Sequence, residues 1–289
     1  MSPLLLQGRI MRFLILLTAL ALSACSQTPV SPPKNTLDKL GKITDLHRGE
    51  TLTPDQLLTR LAVQSRVIVG EKHDNPYHHQ IELWLVQNLP QQRPQGSVLM
   101  EMINPNQQAK VDQVKHWLQG SPTVRDSRVA ELIDWQPGWK WSLYGDLTMA
   151  AMRAPYPLWA ANLDRDEIMA FYQQPSFPQG QLSVRPAVQQ ALEETIRTSH
   201  GGKIEPQQLH AMLAIQQQRD RRMAERLLAA PTPALLIAGG YHAAKTVGVP
   251  LHVEDLQPKA MPTVLMLAEP GVQIDKQVAD YLWVTPAVK

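Results

Sequence analysis

Five short stretches that are apolar from end to end constrain the fold most: Arg66-Val-Ile-Val-Gly70, Ser97-Val-Leu-Met-Glu101, Pro157-Leu-Trp-Ala-Ala161, Ala234-Leu-Leu-Ile-Ala-Gly239 and Thr263-Val-Leu-Met-Leu267. A strand with one wet face alternates apolar and polar side chains. These stretches do not alternate, so each reads as a strand buried on both faces, the pattern of a parallel sheet covered by helices. Helical segments separate most of them. Thr53-Pro54 supplies an N-cap and a first-turn proline for a helix running to Gln64, with Leu57, Leu58 and Leu61 on one stripe; further helices are expected over Tyr77–Gln87 and Pro206–Leu228. The spacing predicts an α/β fold, a parallel sheet flanked by helices.

The long interval between the second and fourth stretches holds Trp135, Trp139, Trp141 and Trp159 and is largely helical in pattern. A helical insertion or subdomain is therefore expected over residues 104–156 and 164–231, and a sheet core over 37–103, 157–163 and 232–289. With 44% hydrophobic and 19% charged residues, the composition is that of a folded chain, and a formal net charge of +2 without a basic block excludes nucleic acid as an expected partner. One cysteine excludes a disulfide framework and any multi-cysteine metal site.

That cysteine, Cys25, closes Leu22-Ser-Ala-Cys25, after Arg9, Arg12 and an apolar run from Phe13 to Leu22. Basic, apolar and small-residue regions in this order read as a signal peptide over 1–24, and Leu-Ser-Ala-Cys resembles the bacterial lipobox, whose cysteine is acylated and becomes the mature N-terminus. Met11 is an alternative start. Residues 25–36 then form a tether from a lipid anchor, and Ser26 after the cysteine favours the outer membrane in similar lipoproteins.

Ligands of open parallel sheets bind beyond the carboxyl ends of the strands. After the first strand comes Gly70-Glu-Lys-His-Asp-Asn-Pro-Tyr-His-His79; after the second, Glu101; after the third, Asn162-Leu-Asp-Arg165; after the fourth, Gly239-Gly-Tyr-His242. Imidazole serves as metal ligand, general base or anion partner, and the residue types leave these open. His73 is the inward candidate, because the adjacent His78 and His79 point apart on a helix. His73, Glu101 and His242 also have the types for a metal-assisted or acid–base hydrolytic site, with His73 as alternative metal ligand. No Gly-x-Ser-x-Gly elbow occurs.

The paired Gly70-x-x-His73 and Gly239-x-x-His242, with Glu101 between them, resemble the superfamily of erythromycin esterases, TraB/PrgY proteins, Tiki proteases and ChaN-type haem-binding lipoproteins. The chain most resembles the ChaN type through Val69–His79, Asp134-Trp-Gln-Pro-Gly-Trp-Lys-Trp-Ser-Leu-Tyr144, Ala161–Arg165, Arg219-Asp220 and Ala238–Ala243, over about residues 36–267. The resemblance implies a membrane-anchored lipoprotein of haem or iron uptake that passes haem to a receptor or carrier. It also implies a tyrosine on the haem iron at a homodimer interface. Tyr144 matches the family pattern and follows indoles, among them Trp141, that could stack on a porphyrin; Tyr77 and Tyr241 come next. Lys72, His78, Lys140, Arg153 and His242 are expected donors to the propionates. Without a Cys-x-x-Cys-His, haem is held noncovalently. The alternative implied by the hydrolase relatives is an esterase or peptidase built on His73, Glu101 and His242.

Overall fold

The computed structural model describes Leu37 and residues 39–288; the signal segment, the tether and Cys25 lie outside the described residues. The chain opens with an antiparallel hairpin, β1 (Lys42–Asp45) and β2 (Glu50–Leu52). Helix α1 (Pro54–Ala62) starts at a capping box: Thr53 accepts the Gln56 N–H at 3.2 Å, and the Gln56 side chain accepts the Thr53 N–H at 2.8 Å. Such a cap contributes about 1 kcal/mol. Strand β3 (Arg66–Glu71) leads into α2 (Pro76–Gln92), whose N-cap Asn75 accepts N–H bonds from Tyr77 and His78. After β4 (Ser97–Met100) come α3 (Gln108–Leu118), α4 (Asp126–Leu132), α5 (Trp141–Arg153) and β5 (Leu158–Ala160). Helices α6 (Arg165–Gln173), α7 (Pro186–Ser199) and α8 (Pro206–Ala229) precede β6 (Ala234–Gly239). The chain closes with α9 (Gly240–Ala243), α10 (Val249–Leu256), β7 (Thr263–Ala268) and β8 (Tyr281–Val284).

All eight strands join one sheet in the order β2-β1-β8-β7-β3-β6-β4-β5. The six from β8 to β5 are parallel, and β1 runs antiparallel to both its neighbours. Each apolar stretch read from the sequence is a strand of the parallel part. The sheet is wider than expected because β1 and β2 are too short and polar to register as apolar runs, and β8 adds a further apolar strand, Tyr281-Leu-Trp-Val284.

Side chains along the central strands separate by the period of two that a strand imposes. Val67 and Val69, like Leu235 and Ile237, pack with α1, α2 and α5 through Leu57, Leu85 and Met149. Ile68 and Leu236 face the other way, onto Met223, Leu227 and Val253 of α8 and α10. A small third cluster, Leu192, Ile196, Leu209 and Leu213, joins α7 to α8. Both faces of the sheet are therefore dry, as a parallel sheet requires. Among the described residues no helix is long and apolar enough to cross a membrane.

Candidate functional site at the carboxyl ends of the strands

Register brings the chemistry together. Glu71, at the end of β3, pairs with Gly239 at the end of β6, while Met100 of β4 pairs with Ile237, so Glu101 follows at the same level and its N–H bonds Ile237 O at 3.0 Å. These strand ends floor an open cavity of about 940 Å³, within the size range of small-molecule sites. Glu71, His73, Glu101 and His242 give the floor its polarity; Ala244, Met266 and Val278 contribute apolar wall. The glycines of the Gly-x-x-His pairs are needed for close approach. A Cβ on Gly239 would stand 2.8 Å from His73 Nε2, and one on Gly70 would stand 2.5 Å from the Ala243 Cβ.

Two buried networks support this floor. In the first, His242 Nδ1 lies 2.6 Å from Asp220 Oδ1 of α8, and its Nε2 lies 3.4 Å from Glu101 Oε1. Glu101 Oε2 accepts the Gly239 N–H at 2.7 Å. Burial disfavours charge on the ring, but the carboxylates of Glu101 and Asp220 outweigh it and push the His242 pKa up to about 10. The imidazolium in turn overcomes burial at Glu101 and holds it at about 2. Asp220 is instead raised, because its burial and the nearby Glu101 charge outweigh the hydrogen bond. At neutral pH His242 is a cation with both ring nitrogens donating, so it offers neither a base nor a lone pair.

In the second network Glu71 Oε1 takes His73 Nδ1 at 2.6 Å and the Tyr144 hydroxyl at 2.7 Å. The His73 ring meets Trp139 edge-on at 4.8 Å, and its Nε2 stays on the cavity side beside Gly239. Burial lowers the His73 pKa, yet the hydrogen bond to Glu71 and the charges of Glu101 and Glu71 leave it raised. Behind Glu71, His79 Nδ1 lies 3.1 Å from Glu82 Oε2. Burial first, and then the Glu71 charge, push Glu82 up to about 7.

The sequence-derived residues divide accordingly. His73, Glu101 and His242 do converge, and Tyr241 stands at the cavity with 63% of its surface exposed. Tyr144, the expected iron ligand, stands behind the floor and not on the cavity lining. It is 1% exposed, packed by Trp135 and Trp139, and burial together with Glu71 pushes its pKa up, so its proton stays on oxygen. The indoles that drew attention to it are what bury it. Trp141 packs on Trp135 away from the cavity, and Trp139 is the indole that reaches it. Tyr77 is half-buried against the core at the start of α2. His78 is fully buried, its Nδ1 accepting the Lys72 N–H at 2.9 Å; burial takes its pKa down to about 3, so it is neutral, and it does not line the cavity. Lys72 lines the cavity but pairs with Glu269 at 3.0 Å; Lys140 and Arg153 do not line it.

Asp220, Glu71 and Arg219 were not among the expected site residues. Asp220 and Glu82 carried a readable signal: each falls on the apolar stripe of its own helix, with Leu213, Gln217, Ala224 and Leu227 in α8 and with His78, His79, Leu85 and Leu89 in α2.

An open α/β sheet with one polar-floored, apolar-walled cavity at its strand ends defines a ligand-binding protein of the doubly covered parallel class. Residues 57–253 match the family described as haem-binding uptake, Tiki superfamily, ChaN, and the chain belongs to that family. It is similar to the solved ChaN of Campylobacter jejuni, a structure described as cofacial haem binding, with a TM-score of 0.78 and 26% identity over 85% of this chain and 96% of that one. Weaker likenesses are a mutant of the erythromycin esterase EreC in its open conformation (TM-score 0.47, 13% identity, 85% and 82% covered) and the type III effector HopBA1 (TM-score 0.44, 12% identity, 81% and 93% covered). No curated protein matches the chain.

Proposed function

We propose that this chain is a lipid-anchored haem-uptake protein that holds haem noncovalently in the strand-end cavity with Tyr241 as the axial ligand. The observation that carries the ligand assignment is the Tyr241 side chain itself. It is the tyrosine that lines the cavity, it is 63% exposed, and its hydroxyl has no partner among the described residues. A phenolate is a hard anionic donor suited to ferric iron, and an exposed phenol can lose its proton to the metal where the buried Tyr144 cannot. Arg219 lines the same cavity. Its Nε is buried without a hydrogen-bond partner, and no carboxylate of the described residues lies in ion-pair range, which suits it to a propionate.

The cavity lining also includes Val272, 50% exposed. A flat porphyrin there leaves apolar area in water unless a second copy covers it, and the cofacial haem of the Campylobacter relative supports a homodimer closed over haem. The lipobox at Cys25 supports acylation and an outer-membrane tether, from which haem passes to a receptor or carrier.

The test is a haemin titration of the full chain in detergent, read by absorbance and by size-exclusion chromatography. Saturable binding with a shift to dimer is expected, and Tyr241→Phe weakens it by an order of magnitude or more while Tyr144→Phe does not. Loss in Tyr144→Phe with retention in Tyr241→Phe overturns the ligand assignment.

Hydrolysis is the second reading, favoured by one observation: His73 Nε2 and Glu101 share the cavity floor. It runs through His73 and Glu101, because His242 is held as a cation. Chelator-sensitive ester turnover by the haem-free chain, lost in His73→Ala, is its mark.

A further inference from the structure

Behind the cavity floor lies a cluster that haem binding leaves unused. Glu71 of β3 and His79 and Glu82 of α2 each bring a ligand atom within 4.8 Å of the others. The carboxylates are 0% exposed and the imidazole 4%. His79 Nε2 lies 3.1 Å from the His73 carbonyl oxygen, which can only accept, so Nε2 carries the proton. A neutral ring then leaves Nδ1 with a lone pair facing Glu82 Oε2 at 3.1 Å. Two lone pairs at that distance need a proton or a metal ion between them. A shared proton still leaves Glu71 Oε2, 3.9 Å from His79 Nε2, and Glu82 Oε1 buried without any hydrogen-bond partner, although buried carboxylate oxygens are costly unless hydrogen-bonded or coordinated.

We propose that Glu71, His79 and Glu82 bind a divalent first-row metal ion. One imidazole nitrogen with two carboxylates is the donor set of Zn²⁺ and Mn²⁺ rather than of soft monovalent copper. Spacing of i and i+3 puts His79 and Glu82 on one face of α2. The bond from His79 Nε2–H to a backbone carbonyl is the kind that orients a ligating imidazole. The site shares Glu71 with the Gly70-x-x-His73 motif, but the side chains of His73, His242 and Glu101 do not belong to it. It does have a consequence for the cavity. An ion on Glu71 Oε2 fixes the carboxylate whose Oε1 holds His73 and Tyr144, and so fixes the position of His73 on the floor.

The haem-free full chain, stripped with chelator, is titrated in a calorimeter with ZnCl₂ and separately with MnCl₂. One tight equivalent per chain is expected for at least one ion. Glu82→Gln is expected to weaken it by about tenfold or more, with His242→Asn leaving it unchanged. If circular dichroism shows that the Gln variant does not fold, Glu82→Asp, which keeps the charge and withdraws the carboxylate by one methylene, carries the same expectation. The proposal is overturned if neither ion binds saturably, or if His242→Asn loses the site while the Glu82 variants keep it. Since haem is absent throughout, failure here is distinct from failure of haem binding.

Discussion

Asp220→Asn keeps the shape of a buried side chain and removes one charge from the triad of Asp220, His242 and Glu101. In the wild type the imidazolium sits between two carboxylates that are each less than a tenth exposed, and they carry its pKa from 6.5 up to about 10. That interval corresponds to on the order of 5 kcal/mol of preference for the protonated ring. Breaking one arm of a buried pair costs about 3–5 kcal/mol, and relief of repulsion between Asp220 and Glu101 returns part of it. A loss of about 3 kcal/mol near neutral pH is expected. A histidine whose folded pKa lies above its unfolded one stabilises fully below about pH 6.5 and loses that stability as pH rises through about 10. Without Asp220 the folded pKa drops, so the penalty of the variant is largest near pH 6 and shrinks toward pH 10, where the wild-type ring is also losing its proton. Urea unfolding of both proteins across that range reads the difference, and the His242 imidazole signals in NMR read the pKa. A penalty equal at both ends of the range, or a wild-type ring titrating near 6.5, refutes the reasoning.

Tyr144→Phe and Gly239→Ala probe the second network, with Tyr241→Phe as the exposed contrast. Tyr144→Phe removes a donor from buried Glu71 and is expected to cost about 1–3 kcal/mol in urea unfolding, whereas Tyr241→Phe, exposed and unpartnered, leaves stability within about 0.5 kcal/mol; equal costs would contradict the buried and exposed placements. Gly239→Ala meets no backbone penalty at φ −59°, yet its Cβ would lie 2.8 Å from His73 Nε2. The ring must swing off Glu71, so a cost of about 1–3 kcal/mol with weakened haem binding is expected, and an unchanged haemin titration would show that His73 does not shape the cavity.

The parallel core of the fold was legible because its strands are dry on both sides, which forces uninterrupted apolar runs. The hairpin of β1 and β2 was not, because Lys42, Thr44 and Asp45 in β1 and Glu50 and Thr51 in β2 give it the composition of a loop. The site was legible where strand ends carry it: Glu101, His73 and His242 follow from the position of the chemistry relative to the sheet. A run of tryptophans before a tyrosine, as at Tyr144, fits two outcomes, an aromatic wall facing ligand or an aromatic shell burying the hydroxyl, and only packing chooses between them. Asp220 sat in plain view on an apolar helical stripe, where a charged side chain has to find a buried partner.

The charges around the cavity determine how an amphipathic ligand lies in it. His242 is neutralised by Glu101 and Asp220, and Lys72 is shared with Glu269 at 3.0 Å and Asp74 at 3.4 Å. Arg219 is thus the cation on the lining without a carboxylate in reach among the described residues. Carboxylate groups of a ligand would be drawn to it, with the apolar body left to Met266, Val278 and the neighbouring wall, and the exposed Tyr241 hydroxyl has no partner among the described residues. A hydrolytic site needs a base and a water held on the floor, and here most of the floor is committed to internal hydrogen bonds. The lining groups left without partners among the described residues are Arg219 Nε, the Tyr241 hydroxyl and, on the floor, His73 Nε2, and these are the groups a bound ligand meets.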